Sequence, residues 1–168
     1  MMQSKYDVIK SKIIQTDQYG RLLQLVNYWR FQEKKVVFTN GCFDLVHLGH
    51  IDYLSKAADL GNVLVVGLNT DASVSRLKGP NRPINNQNAR AMLLASMFFV
   101  NHVVLFDEGT PYELIKLVNP SVLVKGSDYK PEEIVGYDLV MAGKGKVVSI
   151  DFLEGYSTSG IIERIKTN

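Results

Sequence analysis

Thr39-Asn40-Gly41-Cys42-Phe43-Asp44-Leu45-Val46-His47-Leu48-Gly49-His50 is the stretch on which the reading of the fold turns. It continues the β-branched, apolar run Val36-Val37-Phe38 and leads into a segment, 50–61, whose apolar residues recur at helical spacing. A buried strand that turns through glycine into a helix is the opening of a strand–helix–strand unit. Gly41 lets the backbone approach a ligand with no Cβ in the way, and Gly49 does the same between the histidines. The start of the following helix carries N–H groups without intrahelical partners and the positive end of the helix dipole, so a phosphate group can be held there. His47 and His50, three residues apart, fall on one face of that first turn. Two imidazoles so placed can donate to one phosphate and stabilise charge that builds at phosphorus.

Outward from this stretch, further β-branched runs occupy 63–68, 102–106, 121–126 and 146–152, which with 36–40 make five strands. Each is apolar on both faces, as parallel strands covered on both sides are. Helical periodicity fills 86–100, 110–118 and 159–166 between or after them. The alternation predicts an α/β fold: a Rossmann-like, doubly wound, five-stranded parallel sheet with helices on both faces. Met92, Leu93, Met97, Phe98 and Phe99 are expected in the core. Residues 1–34 read as an N-terminal helical extension, with Leu22, Leu23, Val26 and Trp29 at helical spacing, packed onto a main domain of residues 35–168. The longest turn-like region, KGPNRPINN (78–86), follows the second strand, where open α/β sheets place binding loops. His102 has no partner visible in the sequence and receives no function.

The chain has 168 residues, 46% hydrophobic and 21% charged, enough for one globular core without disulfides. A single cysteine, Cys42, suits a reducing compartment. A formal net charge of +2 with scattered basic residues argues against a dedicated nucleic-acid or membrane-surface binder. With no apolar core of a secretion signal and no membrane-length run, a cytoplasmic location is expected. The phosphate loop G-x-x-x-x-G-K-[ST] and the dinucleotide fingerprint G-x-G-x-x-G are both missing. Cys42, Asp44, His47 and His50 match no common zinc spacing, so no metal site is assigned to protein ligands.

TNGCFDLVHLGH resembles the signature of the cytidylyltransferase-type nucleotidyltransferases, whose H-x-G-H stands here as His47-Leu48-Gly49-His50. The likeness covers roughly 36–165. Arg76-Leu77-Lys78 resembles the family's loop with a phosphate-binding lysine, and Arg90 the arginine that opens a later helix. VKGSDY (124–129) looks like the segment that contacts the base, and EGYSTSGII (154–162) the motif at the start of the last helix. Cytidylyltransferases of glycerol phosphate carry an arginine where this chain has Phe152 and a threonine where it has Cys42. The combination is more similar to the branch that adenylylates a heptose 1-phosphate.

The resemblance implies attack of a sugar 1-phosphate on the α-phosphorus of ATP, giving an ADP-sugar and pyrophosphate. His47, His50 and Lys78 would be catalytic. Asn40, Gly41, Cys42, Phe43, Gly49, Arg90, Lys125, Gly126, Asp128, Tyr156, Ser157, Thr158 and Ser159 would bind the nucleotide, and Asp44, Asn69 and Arg82 the acceptor. Asp44 can equally orient a histidine or serve as a turn and capping residue, and Ser157 is an ordinary N-cap candidate. Mg²⁺ would enter bound mainly through the triphosphate. A homodimer is also implied. The alternatives are a CTP-dependent enzyme acting on an alcohol phosphate and a non-catalytic nucleotide-sensing module.

Overall fold

The computed structural model describes residues 3–127 and 130–167. Six parallel strands, not the expected five, form one sheet in the order β1-β4-β3-β2-β5-β6. They are β1 (Ile13–Ile14), β2 (Val36–Gly41), β3 (Val63–Asn69), β4 (His102–Phe106), β5 (Val122–Gly126) and β6 (Lys146–Ile150). The additional strand comes from the leading segment: Ile13 and Ile14 pair with Val103 and Val104 at one edge of the sheet. Two residues are too few for a period-2 signal, so this strand is invisible in the sequence and exists because β4 offers it an edge.

The helices are α1 (Lys5–Ser11), α2 (Tyr19–Phe31), α3 (Leu48–Ala58), α4 (Asp71–Lys78), α5 (Gln87–Ser96), α6 (Tyr112–Val118), α7 (Tyr137–Ala142) and α8 (Thr158–Thr167). Strand alternation divides the core. Val37, Leu64, Val66, Leu68, Val103 and Leu105 face α3 and α5 on one side. Phe38, Val63, Val65, Val104 and Phe106 face α2, α6 and α7 on the other. Leu22, Val26 and Trp29 are the buried face of α2, so the leading helix does pack onto the body as its spacing predicts. Truncating the fully buried Leu22 to Ala would cost about 2–5 kcal/mol.

Two expectations are corrected. Leu93 and Phe98 are 45% and 92% exposed rather than core: Arg90, Ala91, Leu94 and Ala95 form the buried face of α5 and Leu93 its outer one, while Phe98 lies beyond the helix end at Ser96. Residues 71–78 are a helix. The Thr70 hydroxyl caps α4 by accepting from the Ser73 N–H at 3.2 Å, and Val74 and Ser73 are its buried residues. α4 is eight residues long and mostly polar, with Val74 its one buried apolar residue, so Arg76 and Lys78 read as loop although they lie in a helix's last turn.

The strand order reverses at β2, which pairs with β3 on one side and β5 on the other. In an open α/β sheet the crevice beyond the carboxyl ends at such a switch point is where ligands bind.

Candidate active site

A cavity of about 360 Å³ lies at that switch point. Its wall combines the end of β2 and the following turn (Asn40 to Asp44), His50 and Tyr53 of α3, and Asn69 at the end of β3. Lys78 closes α4's side, Lys125 and Gly126 end β5, and Phe152 and Thr158 complete the rim. Segments far apart in sequence thus meet because parallel strands deliver their carboxyl ends to one edge of the sheet.

His47 is the N-cap residue of α3 and His50 lies in its first turn. Their rings stack with centroids 3.9 Å apart and planes 20° apart. Gly49 permits this arrangement: a Cβ there would lie 3.1 Å from the His47 ring and 3.2 Å from the Tyr156 Cβ. Phe43 sits at φ 44°, a left-handed conformation uncommon for a side-chain-bearing residue, and presents its ring to His50 at 5.1 Å in an edge arrangement. Burial lowers the His50 pKa to about 4, helped by His47 and Lys78, while the nearby Leu45 backbone pulls the other way. Burial lowers His47 as well. Both rings are therefore neutral at pH 7, each with one N–H to donate. The positive charge of the site comes from Lys78 and the start of α3, not from imidazolium.

The buried Asn40 Oδ1, His47 Nδ1 and His50 Nδ1 have no hydrogen-bond partner. Arg82 Nη2 and His102 Nδ1 are likewise unpartnered, but Asn40 and His50 line the cavity and His47 stacks on His50, a grouping that fits a site completed by a polar ligand.

Asp44 is 2% exposed and its carboxylate ties the turn to the loop at 79–86. Oδ1 accepts from the N–H of Ile84 (2.7 Å) and of Asn85 (3.0 Å), and Oδ2 accepts from Arg82 Nε at 2.6 Å. Burial would raise this carboxyl, but the Asn85 N–H, the Arg82 guanidinium and the Ile84 N–H outweigh it and hold the pKa below the usual value. Arg90, fully buried, donates to the carbonyls of Asn85 (3.0 Å) and Cys42 (2.6 Å) and to Asp71 Oδ1 (2.7 Å). A guanidinium with no exposed face cannot reach a nucleotide in this conformation. Arg90 instead positions the turn and the loop against each other. Arg82, read from sequence as an acceptor ligand, is engaged by Asp44 through Nε, while its buried Nη2 has no partner.

The remaining expected residues divide. Thr158 lines the cavity, whereas Ser159 faces a neighbouring groove beside Arg82. Ser157 caps α8 by accepting from the Gly160 N–H at 3.0 Å. Tyr156 lies against the start of α3, and Asn69 donates to Ser73 Oγ at 3.0 Å. Cys42 Sγ is 3.9 Å from Asn69 Oδ1. Asp128 lies outside the described residues.

Two wall residues received no site role from the sequence. Tyr53 hydrogen bonds through its hydroxyl to Thr39 Oγ1 at 2.8 Å, and Phe152 packs beside it with ring centroids 5.9 Å apart. Tyr53 was traceable, standing three residues after His50 on the same helix face. Phe152 follows the edge strand β6, and its place in the last motif marked it only as a departure from the arginine of glycerol-phosphate cytidylyltransferases. Among the described residues no group of three His, Cys, Asp or Glu could hold a metal ion. The Asp44 carboxylate on the wall is already engaged, so a divalent ion would have to arrive with its ligands from a triphosphate and water.

Comparison with known proteins agrees with this geometry. Residues 38–164 match the family described as Cytidylyltransferase-like. The chain is 57% identical over 143 residues to the bifunctional protein HldE of Campylobacter jejuni subsp. jejuni serotype O:6, covering 85% of this chain and 30% of that protein. To the bifunctional protein HldE of Nitratiruptor sp. it is 59% identical over 134 residues, covering 80% and 28%. The chain thus spans about three tenths of the length of these relatives. Among solved structures, it is similar to the lipopolysaccharide core biosynthesis protein from Thermoplasma volcanium GSS1, with TM-score 0.58 and 28% identity over 74% of this chain and 99% of that one. It shares its fold with pantoate-beta-alanine ligase from Francisella tularensis, with TM-score 0.60 and 16% identity over 92% and 77% of the two chains. With its paired histidines at a strand-to-helix turn and a matching span from β2 into α8, this chain belongs to the cytidylyltransferase-like family.

Proposed function

We propose that the chain transfers AMP from ATP to a sugar 1-phosphate of the heptose class, giving an ADP-sugar and pyrophosphate. An oxygen of the sugar phosphate forms a bond to the α-phosphorus of ATP, and the bond from that phosphorus to the oxygen bridging to the β-phosphate breaks. Pyrophosphate carries away the leaving charge. An acceptor phosphate is largely ionised near neutral pH, so positioning and charge stabilisation supply most of the rate.

His47 and His50 donate their N–H groups to the α-phosphate oxygens as charge rises there. Lys78 adds an ammonium on the same side, and the first N–H groups of α3 add their dipoles. As neutral rings, the histidines need no proton uptake before substrate binds. ATP enters as its magnesium complex, whose ion neutralises the phosphate charge. In this reading Thr158, which lines the cavity at the start of α8, serves the outer phosphates, and Lys125 and Gly126 the base. Asp44, Arg82 and Arg90 hold the loop at 79–86 against the catalytic turn, leaving Asn69 on the acceptor's side.

The observation that carries the reading is the stacked pair His47 and His50, both with a buried Nδ1 lacking a partner. The choice of a heptose acceptor and of ATP is supported by the identity with HldE proteins and by the likeness to a lipopolysaccharide core biosynthesis protein. No helix among the described residues is long and apolar enough to cross a membrane, and the reading includes a cytoplasmic homodimer. Pyrophosphate release tests it, with ATP, CTP, GTP and UTP each crossed with heptose 1-phosphate, glucose 1-phosphate and glycerol 3-phosphate. Turnover confined to ATP with the heptose phosphate is expected. Turnover only with CTP and glycerol 3-phosphate would overturn it.

A further inference from the structure

We propose that a groove between α1, β1 and α5 is a second binding site, shaped for a nucleoside phosphate and separate from the catalytic cavity. It encloses about 460 Å³, more than the 360 Å³ of the catalytic cavity, and the two share no lining residue. Both volumes fall in the range of small-molecule sites.

The charges of the groove are one-sided. Lys10 and Arg21 line it and no carboxylate does. Neither cation forms a salt bridge with a described residue. Asp7, on the same helix as Lys10, accepts instead from the Ser4 hydroxyl at 2.6 Å. Arg21 donates from Nη1 to the Ile13 carbonyl at 3.3 Å and from Nη2 to the Ser11 carbonyl. Those carbonyls aim the guanidinium along the edge of β1 without neutralising it, which leaves a directed cation suited to phosphate.

The rest of the lining asks for a ring. Ile13, Ala91 and Met92 supply apolar surface, and Tyr6 is 63% exposed with no aromatic neighbour among the described residues. An uncovered phenol ring beside two cations suits a base that stacks while its phosphate pairs with Lys10 and Arg21. Asn88 contributes an amide to hydrogen bond with a ribose or base edge. On α5, Asn88 and Met92 point to this groove. Arg90 is about 200° around the helix from either, toward the catalytic turn, so the two sites use opposite faces of one helix.

Calorimetric titration of the full chain with AMP tests the proposal, in the wild type and in Lys10→Glu, Tyr6→Ala and Lys78→Ala. Lys10 and Tyr6 are exposed and have no hydrogen bond to the fold, so their replacements should leave folding intact, as circular dichroism would verify. The Lys78→Ala chain should retain an AMP-binding event, and Lys10→Glu should weaken that event about tenfold or more. Tyr6→Ala, and ribose 5-phosphate in place of AMP, should each weaken it by about fivefold or more. Loss of all AMP binding in Lys78→Ala, binding indifferent to Lys10→Glu, or equal binding of ribose 5-phosphate would each overturn it. The decisive arm is Lys10→Glu: Lys10 lies outside the catalytic cavity, so an AMP event that it weakens is not AMP held by His47, His50 or Lys125.

Discussion

Residues 39–50 and residues 154–167 face the same cavity, yet they are held in different ways. The first segment is locked from beneath: Asp44 and Arg90 are buried, and through them the turn, the loop at 79–86 and the start of α4 share one hydrogen-bonded network. The second is held mainly by local bonds. No residue of α8 is buried, Ile165 is 71% exposed, and the cap from Ser157 is its start. Groups that stabilise charge at the reacting centre work best when they need no reorganisation, which suits the first segment. Elements that grip and release ligands are drawn from the less stable parts of a fold, which suits the second.

Substitutions should separate these two behaviours. The largest effect is expected in the locked segment: His47→Ala and His50→Ala should each lower kcat/KM by about 10²–10³-fold, measured by pyrophosphate release, with the fold retained by circular dichroism. Asp44→Ala leaves Arg82 without its carboxylate and two N–H groups without their acceptor. Urea unfolding should show a loss of about 3 kcal/mol, and turnover should fall with it.

Acidification probes His50 in that segment and His102 at the start of β4. His50 and His102 have pKa values of about 4 in the folded chain against 6.5 for the free side chain. Between those values the unfolded chain binds protons that the folded one does not. Stability is thus complete above pH 6.5 and falls as the pH drops from there toward 4. Roughly 2 kcal/mol per histidine should be lost by pH 4.5, seen as a lower Tm. His102→Phe should flatten the profile, read from the fluorescence of Trp29, the sole tryptophan, whose ring centroid is 5.3 Å from His102.

The smallest effect belongs to the second segment. Ser157→Ala removes the cap of α8 at a cost of about 1 kcal/mol. It should raise the KM for ATP several-fold while leaving the Tm within about 1 °C, since α8 can fray without opening the core. A Tm loss as large as that of Asp44→Ala would erase the contrast between the segments.

Much of this was legible in the linear chain. Parallel strands covered on both faces are continuous apolar runs, so β2 to β6 stand out, and α2 shows its buried stripe in Leu22, Val26 and Trp29. His47, Gly49 and His50 were visible because their spacing on a helix start is itself the geometry. β1 and α4 were not, since a two-residue strand is too short for alternation to register and an eight-residue, mostly polar helix is shorter than the window over which helical spacing is read. Phe98 misled for the related reason that helical spacing says nothing about where a helix stops.

Local pattern therefore carried the layer architecture and the paired histidines at the helix start, because both depend on residues a few positions apart. The neutral state of those histidines, the engagement of Arg82 by Asp44 and the burial of Arg90 arise from contacts between residues 19 to 48 positions apart, together with the solvent that packing excludes. Charge and hydrogen-bond partnership are properties of an environment, and the environment comes into being when the strands align.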